Sequence, residues 1–193
     1  MNEPTLSAIP ELQFAKYAPT VWEALGSLQR TGWVEAGVPS PETVQEHTVA
    51  TRLRAYEIAS EHQLFSDCEM SDLLNMIEVH DWPEAIVGDL VVLEGSSELT
   101  EKQIKERVAM ENICTDIERG VEILALWERF ETGTDEVARF ARQMDLFQSV
   151  EKAVEYEKLY SLAGLAREFV DYSRPRIEHP VLVELIANIA KQL

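Results

Sequence analysis

Groups able to bind a metal ion are crowded into one short stretch of the chain. His80 and Asp81 are adjacent, and Glu84 and Asp89 follow shortly after them. Three carboxylates this close together would repel one another unless protons or a cation neutralised them. A divalent metal ion is the simplest source of that positive charge, so this stretch is a candidate metal site.

The elements around this stretch should bring its side chains together. Residues 73–79 are mostly apolar, as in a packed helix, whereas Pro83 cannot continue a helix smoothly because it lacks an amide hydrogen. The pattern therefore predicts a helix that ends at His80 and Asp81. The two acids beyond it should lie on the next short turn or helix and face the same pocket.

Two residues far away in the sequence extend this hypothesis. His47 is expected in the first turns of another helix, and Asp145 lies beside apolar Met144 and Leu146 in a later one. An ionised carboxylate on such an apolar stretch is costly to bury unless it is paired or binds a metal ion. Imidazoles and carboxylates together suit manganese, cobalt, iron or zinc better than calcium. Four such ligands leave positions open for water and substrate, as metal-assisted hydrolysis requires.

Three motifs, in the expected order, resemble the HD-domain metal-dependent phosphohydrolases, and most closely their 5'-deoxynucleotidase subgroup. The first combines RTGW at 30–33 with PETVQEH at 41–47, the second is HDWPEAIVGDL at 80–90, and the third combines RQMD at 142–145 with EYE at 155–157. The similarity covers the chain from about residue 10 to residue 190. Any one of these motifs alone would be weak, but their combination and order are specific.

The resemblance implies which residues hold the catalytic metal ion. They are His47, His80, Asp81 and Asp145. The ion would be a divalent cation, with cobalt, manganese, magnesium, iron and zinc all left open. Trp82 departs from the smaller or more flexible side chain expected at its position, which would alter the pocket wall.

The same resemblance implies roles for the residues around the ion. Glu84 would act as general acid or base, and Asp89 would position the substrate or a second cation. A possible second ion would be bound by Glu84, Asp89 and the backbone carbonyl of Leu90. Arg30 would contact the 5'-phosphate, and Trp33 would line the sugar pocket, where its bulky ring could reject a 2'-hydroxyl.

The implied activity is hydrolysis of the 5'-phosphate of deoxyribonucleoside monophosphates by a homodimeric enzyme. Two alternatives stay open. The same ligands could cleave a nucleoside triphosphate or a cyclic phosphodiester, because they dictate hydrolysis but not the leaving group. The chain could also be a non-catalytic helical interaction module with a structural metal ion, although such a module would not need Glu84 and Asp89 beside the ligands.

Composition narrows the class of protein. A chain of 193 residues fits one domain, here taken as residues 1–193, and is long enough to bury a core. Its formal net charge of -18 would repel a phosphate backbone, so nucleic acid is not an expected partner. A small anionic substrate would need a local positive centre, which a bound metal ion and an arginine would supply.

The expected location is the cytoplasm. No apolar run approaches the roughly 20 residues that cross a bilayer, and residues 1–4 do not begin a signal peptide. Cys68 and Cys114 are far apart and lack the spacing of a zinc site. Buried free thiols in a reducing compartment are the preferred interpretation, with a single disulfide as the alternative.

Helical periodicity alternates with short breakers along the chain, which predicts an all-α protein, an HD-domain helical bundle by its resemblance. The predicted helices run from about Glu11 to Gln29, from Ser40-Pro41 to about Glu61, from Asp67 or Ser71 to His80-Asp81, from Thr100, from beyond Gly120, from about Asp135 to Tyr160, and from Pro180. The predicted loops are residues 31–39, residues 94–97 and a segment containing Pro175 before the last helix. We interpret Glu151, Glu155 and Glu157 as a solvated helix face, and His62 and His179 as structural residues.

Overall fold

The computed structural model describes residues 11–92 and 96–193, and over these ranges it is helical, with one isolated β-bridge between Gln29 and Thr43. The helices are α1 (Pro19–Leu25), α2 (Thr31–Glu35), α3 (Val44–Glu61), α4 (Asp67–Val79), α5 (Glu84–Val87), α6 (Ser97–Thr115), α7 (Gly120–Thr132), α8 (Glu136–Tyr160), α9 (Leu165–Ser173) and α10 (Pro180–Ala190). Short 3₁₀ helices cover Ala15–Tyr17 and Arg174–Arg176. The prediction of an all-α fold is confirmed.

The long helix α8 organises the core. It packs against α3, α4, α7, α9 and α10. Its residues Phe140, Met144, Phe147 and Val150 recur at helical spacing and are buried. A smaller cluster, which includes Trp33, joins the C-terminal half of α8 to α2 and α9. The centre of α8 therefore lies between two packed regions.

Trp82 belongs to the main core. Its side chain is 0% exposed and packs with the hydrophobic residues of α4, α7 and α8. The expectation that Trp82 alters the pocket wall was therefore wrong. Complete burial of a large apolar ring stabilises the fold more than a position on a cavity wall that stays partly exposed to water.

The predicted helix from Glu11 to Gln29 was wrong at both ends, since α1 covers only Pro19–Leu25. Proline is favoured at the first helical position, because its missing amide hydrogen has no partner there anyway. The residues before it are held by the buried carboxylate of Glu78. This carboxylate accepts hydrogen bonds from the backbone amides of Gln13 (2.7 Å), Phe14 (2.6 Å) and Ala15 (2.8 Å). A partner so distant in sequence leaves no local signal.

Other predicted starts were also wrong. Helix α3 begins at Val44 and not after Ser40, because Thr43 and Glu46 form the reciprocal capping box. Helix α6 begins at Ser97 with Ser96 as its N-cap, so residue 100 lies inside the helix. The prediction of a loop at 94–97 is wrong for residue 97, and residues 94 and 95 lie outside the described ranges.

Two helices lie where loops were predicted, namely α2 within residues 31–39 and α9 before Pro175. The amide of Ala166 in α9 donates to the carboxylate of Glu157 at 2.8 Å, so Glu157 is not simply part of a solvated face. Glu151 is also engaged, since it accepts hydrogen bonds from Arg54. By contrast, α4 ends at Val79, and α8 follows its N-cap Asp135, as predicted.

Both cysteines are free, so the alternative of a single disulfide is excluded. Cys114 is buried, but Cys68 is exposed, which corrects the expectation of two buried thiols. His62 and His179 flank helices as C-cap of α3 and N-cap of α10. Among the described residues, no helix combines the length and the apolar character needed to cross a membrane.

Candidate metal centre and active site

Three helices bring the predicted ligands together. His47 is the fourth residue of α3, His80 caps the C-terminus of α4, and Asp145 lies in the middle of α8. One donor atom from each of these three residues lies within 4.8 Å of the others. The fourth predicted ligand, Asp81, lies alongside, with its Oδ2 atom 3.0 Å from His80 Nε2.

Both imidazole rings are oriented by acceptors on their far sides. His47 Nδ1 lies 2.7 Å from Oε1 of Gln148, and His80 Nδ1 lies 2.7 Å from the backbone carbonyl of Ile77. A carbonyl oxygen only accepts, so each Nδ1 carries the hydrogen and donates it. In the neutral rings each Nε2 then keeps its lone pair and directs it into the cluster, as in histidines that ligate metal ions.

The arrangement of donor atoms fits a divalent ion. His80 Nε2 is buried and has no hydrogen-bond partner among the described residues, although Asp81 Oδ2 is only 3.0 Å away. The carboxylate oxygen therefore lies beside the nitrogen but off the hydrogen-bond direction. Neighbouring ligands about 2.1 Å from an octahedral ion are roughly 3 Å apart, and opposite ligands are about 4.2 Å apart.

The remaining distances agree with this geometry. Asp145 Oδ1 lies 2.9 Å from His47 Nε2 and 4.0 Å from His80 Nε2. A set of two nitrogens and two carboxylate oxygens suits a first-row divalent metal ion.

The cluster favours positive charge. Burial and the nearby Arg30 oppose a charged His47, but the carboxylates of Asp145 and Glu42 outweigh them and raise the pKa of His47 to about 9. Burial would raise the pKa of Asp145, yet His47, His80 and Arg30 hold this pKa well below its ordinary value. The carboxylates therefore stay ionised, and protons or a metal ion balance them.

Glu84 combines burial with a raised pKa, the properties of a catalytic acid. It begins α5, is 6% exposed, and its Oε2 atom has no hydrogen-bond partner among the described residues. Burial, together with the negative charges of Asp81 and Asp89, raises the pKa of Glu84 well above its ordinary value. It lines the same cavity as His80 and Asp81. A carboxyl group whose pKa is raised by burial and by neighbouring negative charges keeps its proton more readily and can serve as an acid.

Arg30 lies where a cavity meets the cluster. It is the residue before α2, and its side chain is 20% exposed. Among the described residues its guanidinium has only long hydrogen bonds, at 3.5 Å to Asp81 Oδ2 and 3.5 Å to Ser149 Oγ. It lines a cavity of about 580 Å³ together with Asp145 and Trp33. A guanidinium with such loose partners can turn to an incoming anion.

Trp33 and Asp89 make contacts within the protein that the sequence did not predict. Trp33 is 2% exposed and stacks on Phe169 with ring centroids 4.4 Å apart, so only part of it reaches the cavity. The carboxylate of Asp89 accepts a hydrogen bond from the amide of Thr31 at 2.5 Å. Because Thr31 is the first residue of α2, Asp89 holds the helix that presents Arg30 and Trp33.

The backbone carbonyl of Leu90 is already in contact with a positive charge. It accepts a hydrogen bond from the ammonium of Lys102 at 2.8 Å. A second metal ion at this oxygen would have to share it with Lys102 or displace it. Lys102 also lies near Glu106, with Nζ and Oε1 3.5 Å apart.

Gln148, Ser149 and Glu42 are the contributors that the sequence reasoning missed. Gln148 and Ser149 lie three and four residues after Asp145, which places them on the same face of α8. That spacing was the available signal. Glu42 was part of a recognised motif, but no role was inferred for it.

A second cavity, of about 550 Å³, is lined by His80, Asp81 and Asp145 of the cluster. The two cavities share Asp145, Leu146 and Tyr172. The candidate ligand Asp145 therefore lies where the two cavities meet.

Comparison with known proteins identifies the class to which this fold and site belong. The model of the HD domain family matches residues 22–179, so the chain belongs to the HD-domain family, as its motifs predicted. Solved structures agree on the fold. A conserved hypothetical protein from Pyrococcus furiosus superposes with a TM-score of 0.72 at 21% identity, covering 90% of this chain and 98% of that chain. A protein from Pyrococcus horikoshii gives 0.71 at 21% identity, covering 91% and 98%.

Curated relatives are more similar in sequence. The 5'-deoxynucleotidase HDDC2 of Bos taurus is 30% identical over 169 residues, covering 86% of this chain and 78% of the relative. The human protein of the same name is 30% identical over 167 residues, covering 86% and 79%. The chain is thus similar over most of its length to proteins named for this activity.

Proposed function

We infer that this protein is a metal-dependent 5'-deoxynucleotidase, which hydrolyses deoxyribonucleoside 5'-monophosphates to deoxynucleoside and phosphate. The observation that carries the inference is the cluster of His47, His80 and Asp145, in which His80 Nε2 is buried without a hydrogen-bond partner among the described residues. The names of the relatives supply the substrate class. The adjoining arginine and acid supply the remaining chemistry.

His47, His80, Asp81 and Asp145 would hold the divalent ion. When bound, it would lower the pKa of a water molecule and neutralise charge on the phosphoryl oxygens. Cobalt, manganese, magnesium, iron and zinc all remain candidates, because the donor set suits each of them to some degree. The hydrogen bonds to Gln148 and to the carbonyl of Ile77 keep both rings in the ligating tautomer.

Arg30 would bind the phosphate. Its two terminal nitrogens face the cluster, at 3.5 Å from Asp81 and from Ser149, and could pair with two phosphoryl oxygens. This local charge would offset the repulsion expected from a chain with a net charge of -18.

Glu84 would manage the proton. Hydrolysis breaks the bond between phosphorus and O5' and leaves an alkoxide that needs a proton. A buried carboxyl with a raised pKa can donate that proton and take one back from water. A group in this role contributes typically about 10²–10⁴-fold to the rate.

The nucleoside would occupy the cavity that holds Arg30. Its wall includes the apolar side chains of Val91, Leu146 and Phe169, which suit a base and a sugar. Trp33 would approach the sugar at C2' and reject a hydroxyl there. Asp89 would act by fixing α2, through its hydrogen bond to Thr31. A second ion at Glu84, Asp89 and the Leu90 carbonyl is a further possibility of the same site, in competition with Lys102.

The second cavity argues against a triphosphate substrate. Among the described residues its acidic lining residues outnumber the basic ones, with Asp81, Glu84, Glu106, Glu131, Asp145 and Glu178 against Lys102, Arg139, Arg142 and Arg176. Arg139 and Arg142 are moreover bonded to backbone carbonyls. Lys102 and Arg176 likewise donate to backbone carbonyls, so additional phosphates would have to compete for each of these cations, and a monophosphate fits better.

The test is a substrate screen with metal-stripped protein and one metal ion re-added at a time. Deoxyadenosine monophosphate, adenosine monophosphate and deoxyadenosine triphosphate are supplied in parallel. We expect inorganic phosphate from the deoxyribonucleoside monophosphate and only in the presence of metal. Release of triphosphate from the third substrate, or no phosphate from any deoxyribonucleoside monophosphate with any metal, would refute the proposal.

The assembly, the location and the domain organisation belong to the same proposal. The family resemblance implies a homodimer, and Ile104 and Val108, one turn apart on α6, are 60% and 51% exposed. Light scattering of the purified protein tests this. The free thiols of Cys68 and Cys114 support a reducing compartment such as the cytoplasm. A main core that includes residues of α1 and α10 supports a single domain over residues 1–193.

A further inference from the structure

A buried carboxylate connects the candidate metal centre to the cavity wall. Glu42 lies just before α3 and is 6% exposed. Its Oε1 atom accepts a hydrogen bond from Trp33 Nε1 at 3.1 Å. The same oxygen lies 3.7 Å from His47 Nδ1, on the side of the ring away from the ligating nitrogen.

The backbone of Glu42 is also held in place. Its amide donates to the hydroxyl of Tyr156 at 2.7 Å, and its carbonyl accepts from the amide of Arg30 at 3.1 Å. The second carboxylate oxygen, Oε2, lies 3.8 Å from Nζ of Lys152. Residue 42 is thus fixed from two sides and contacts the proposed phosphate-binding arginine through the main chain.

Packing alone does not explain a charge at this position. An ionised carboxylate is costly to bury, and an apolar side chain of similar size would fill the same space more cheaply. What the carboxylate adds is a negative charge near the Nδ1–H of His47 and an acceptor for the indole of Trp33. A negative group behind a metal-ligating imidazole makes its other nitrogen a better ligand.

We propose that Glu42 is a positioning residue that sets both the ligand His47 and the cavity wall at Trp33 through one carboxylate oxygen. The part that concerns Trp33 rests on the proposed function. The part that concerns His47 depends only on metal binding. One side chain would then influence both the affinity for the metal ion, through His47, and the position of the cavity wall, through Trp33.

Two substitutions separate these effects. Glu42→Gln keeps the volume and an oxygen that can accept from Trp33, but it removes the charge near His47. Its Kd for Co²⁺, titrated into metal-stripped protein, should rise about tenfold, with KM for deoxyadenosine monophosphate within about twofold of the unsubstituted protein. Glu42→Leu removes both contacts, so Kd for Co²⁺ and KM should each rise about tenfold.

Glu155→Gln is the matched control. Glu155 is exposed and pairs with the same Lys152, at 3.1 Å, but it does not face the cluster. Its substitution should leave both Kd and KM within about twofold of the original values. If Glu42→Leu does not fold, Trp33→Phe removes the indole donor instead, and it should raise KM without changing Kd for Co²⁺.

Clear results would overturn the proposal. A folded Glu42→Gln protein that binds Co²⁺ as tightly as the original would eliminate the role at His47. A normal KM in Glu42→Leu, or in Trp33→Phe if that variant stands in for it, would eliminate the role at the wall. If the original protein hydrolyses no deoxyribonucleoside monophosphate, the proposed function fails, whereas the Co²⁺ titration still decides whether Glu42 sets His47.

Discussion

The hydrogen bond between His47 and Gln148 gives the sharpest test of the metal centre. Gln148 is 5% exposed, and its Oε1 atom lies 2.7 Å from His47 Nδ1. Gln148→Leu removes this acceptor and changes the side-chain volume little. With a metal ion on Nε2, the hydrogen must stay on Nδ1, where the next acceptor, Glu42 Oε1, is 3.7 Å away.

The size of the effect follows from the cost of an unsatisfied donor. A buried N–H without a partner costs about 1–3 kcal/mol. At about 1.4 kcal/mol per factor of ten, that corresponds to roughly 5- to 150-fold in Kd. The metal-free protein bears part of the same cost, so we expect Kd for Co²⁺ to rise about tenfold, at the lower end of the effects known for such partners.

The assay is a calorimetric titration of metal-stripped protein with Co²⁺, combined with thermal unfolding. Gln143→Leu is the matched control, since Gln143 is a buried glutamine of the same helix. Its Oε1 accepts from the backbone amides of Glu178 at 2.7 Å and His179 at 2.8 Å, and it does not contact a ligand ring. It should lower the free energy of unfolding by about 1–3 kcal/mol while Kd stays unchanged.

Two results would refute the reasoning. Gln148→Leu could bind Co²⁺ within about twofold of the original Kd, which would mean that the ring needs no oriented acceptor. Alternatively, Gln143→Leu could weaken Co²⁺ binding as much as Gln148→Leu does. The effect would then report a general loosening of α8 and not the tautomer of His47.

Three further predictions concern the same centre. Because the pKa of His47 is raised from 6.5 to about 9, this residue should add up to about 3 kcal/mol to the stability of the metal-free protein near pH 6.5, and the protein should lose that contribution as pH rises through 9; denaturant unfolding between these pH values measures this, and a flat profile would contradict it. Glu84→Gln should lower kcat about 10²–10⁴-fold with Co²⁺ binding retained, whereas Glu106→Gln in the same cavity should keep most of the activity; equal losses would argue against a proton role for Glu84. Asp81→Ala should abolish Co²⁺ binding and phosphate release together, and turnover in a metal-free sample of this variant would exclude the mechanism.

The fold was predictable wherever local signals were strong. Pro83 marked the end of α4 because it lacks an amide hydrogen, and Asp135 marked the start of α8, where its side chain accepts a hydrogen bond from the amide of Ala138. The N-terminal segment was not predictable in this way. Its conformation depends on Glu78, whose partners at residues 13–15 are remote in sequence.

Helix α9 was missed although its sequence carried a signal. Leu165, Ala166 and Val170 are buried at helical spacing after Gly164, but the segment is so short that this spacing alone does not predict a helix. Its start is stabilised by Glu157 from the preceding helix. Glu157, which was predicted to lie on a solvated face, therefore stabilises a helix that lines the cavity.

The candidate site was predictable from residue types more than from spacing. Histidine and aspartate carry an obvious chemistry, so His47, His80, Asp81 and Asp145 could be grouped before their positions were known. For Gln148 the sequence offered only its spacing from Asp145, a weak signal because glutamine is common on helices; its role follows from the His47 ring nitrogen 2.7 Å away. The roles of Glu84 and Arg30 remain predictions that the structure makes chemically reasonable.

The buried carboxylate of Glu78 connects residues 13–15 to the candidate metal centre. The backbone amides of residues 13–15 donate hydrogen bonds to this carboxylate, and the predicted ligand His80 lies only two residues after Glu78. Proteolytic trimming past Ala15 would remove three hydrogen-bond donors from this buried carboxylate and leave Arg52 as a charged neighbour, an under-bonded state that proteins relieve by local rearrangement. The rearranged segment would be the last turn of α4. A cut far from the cleft would therefore weaken metal binding.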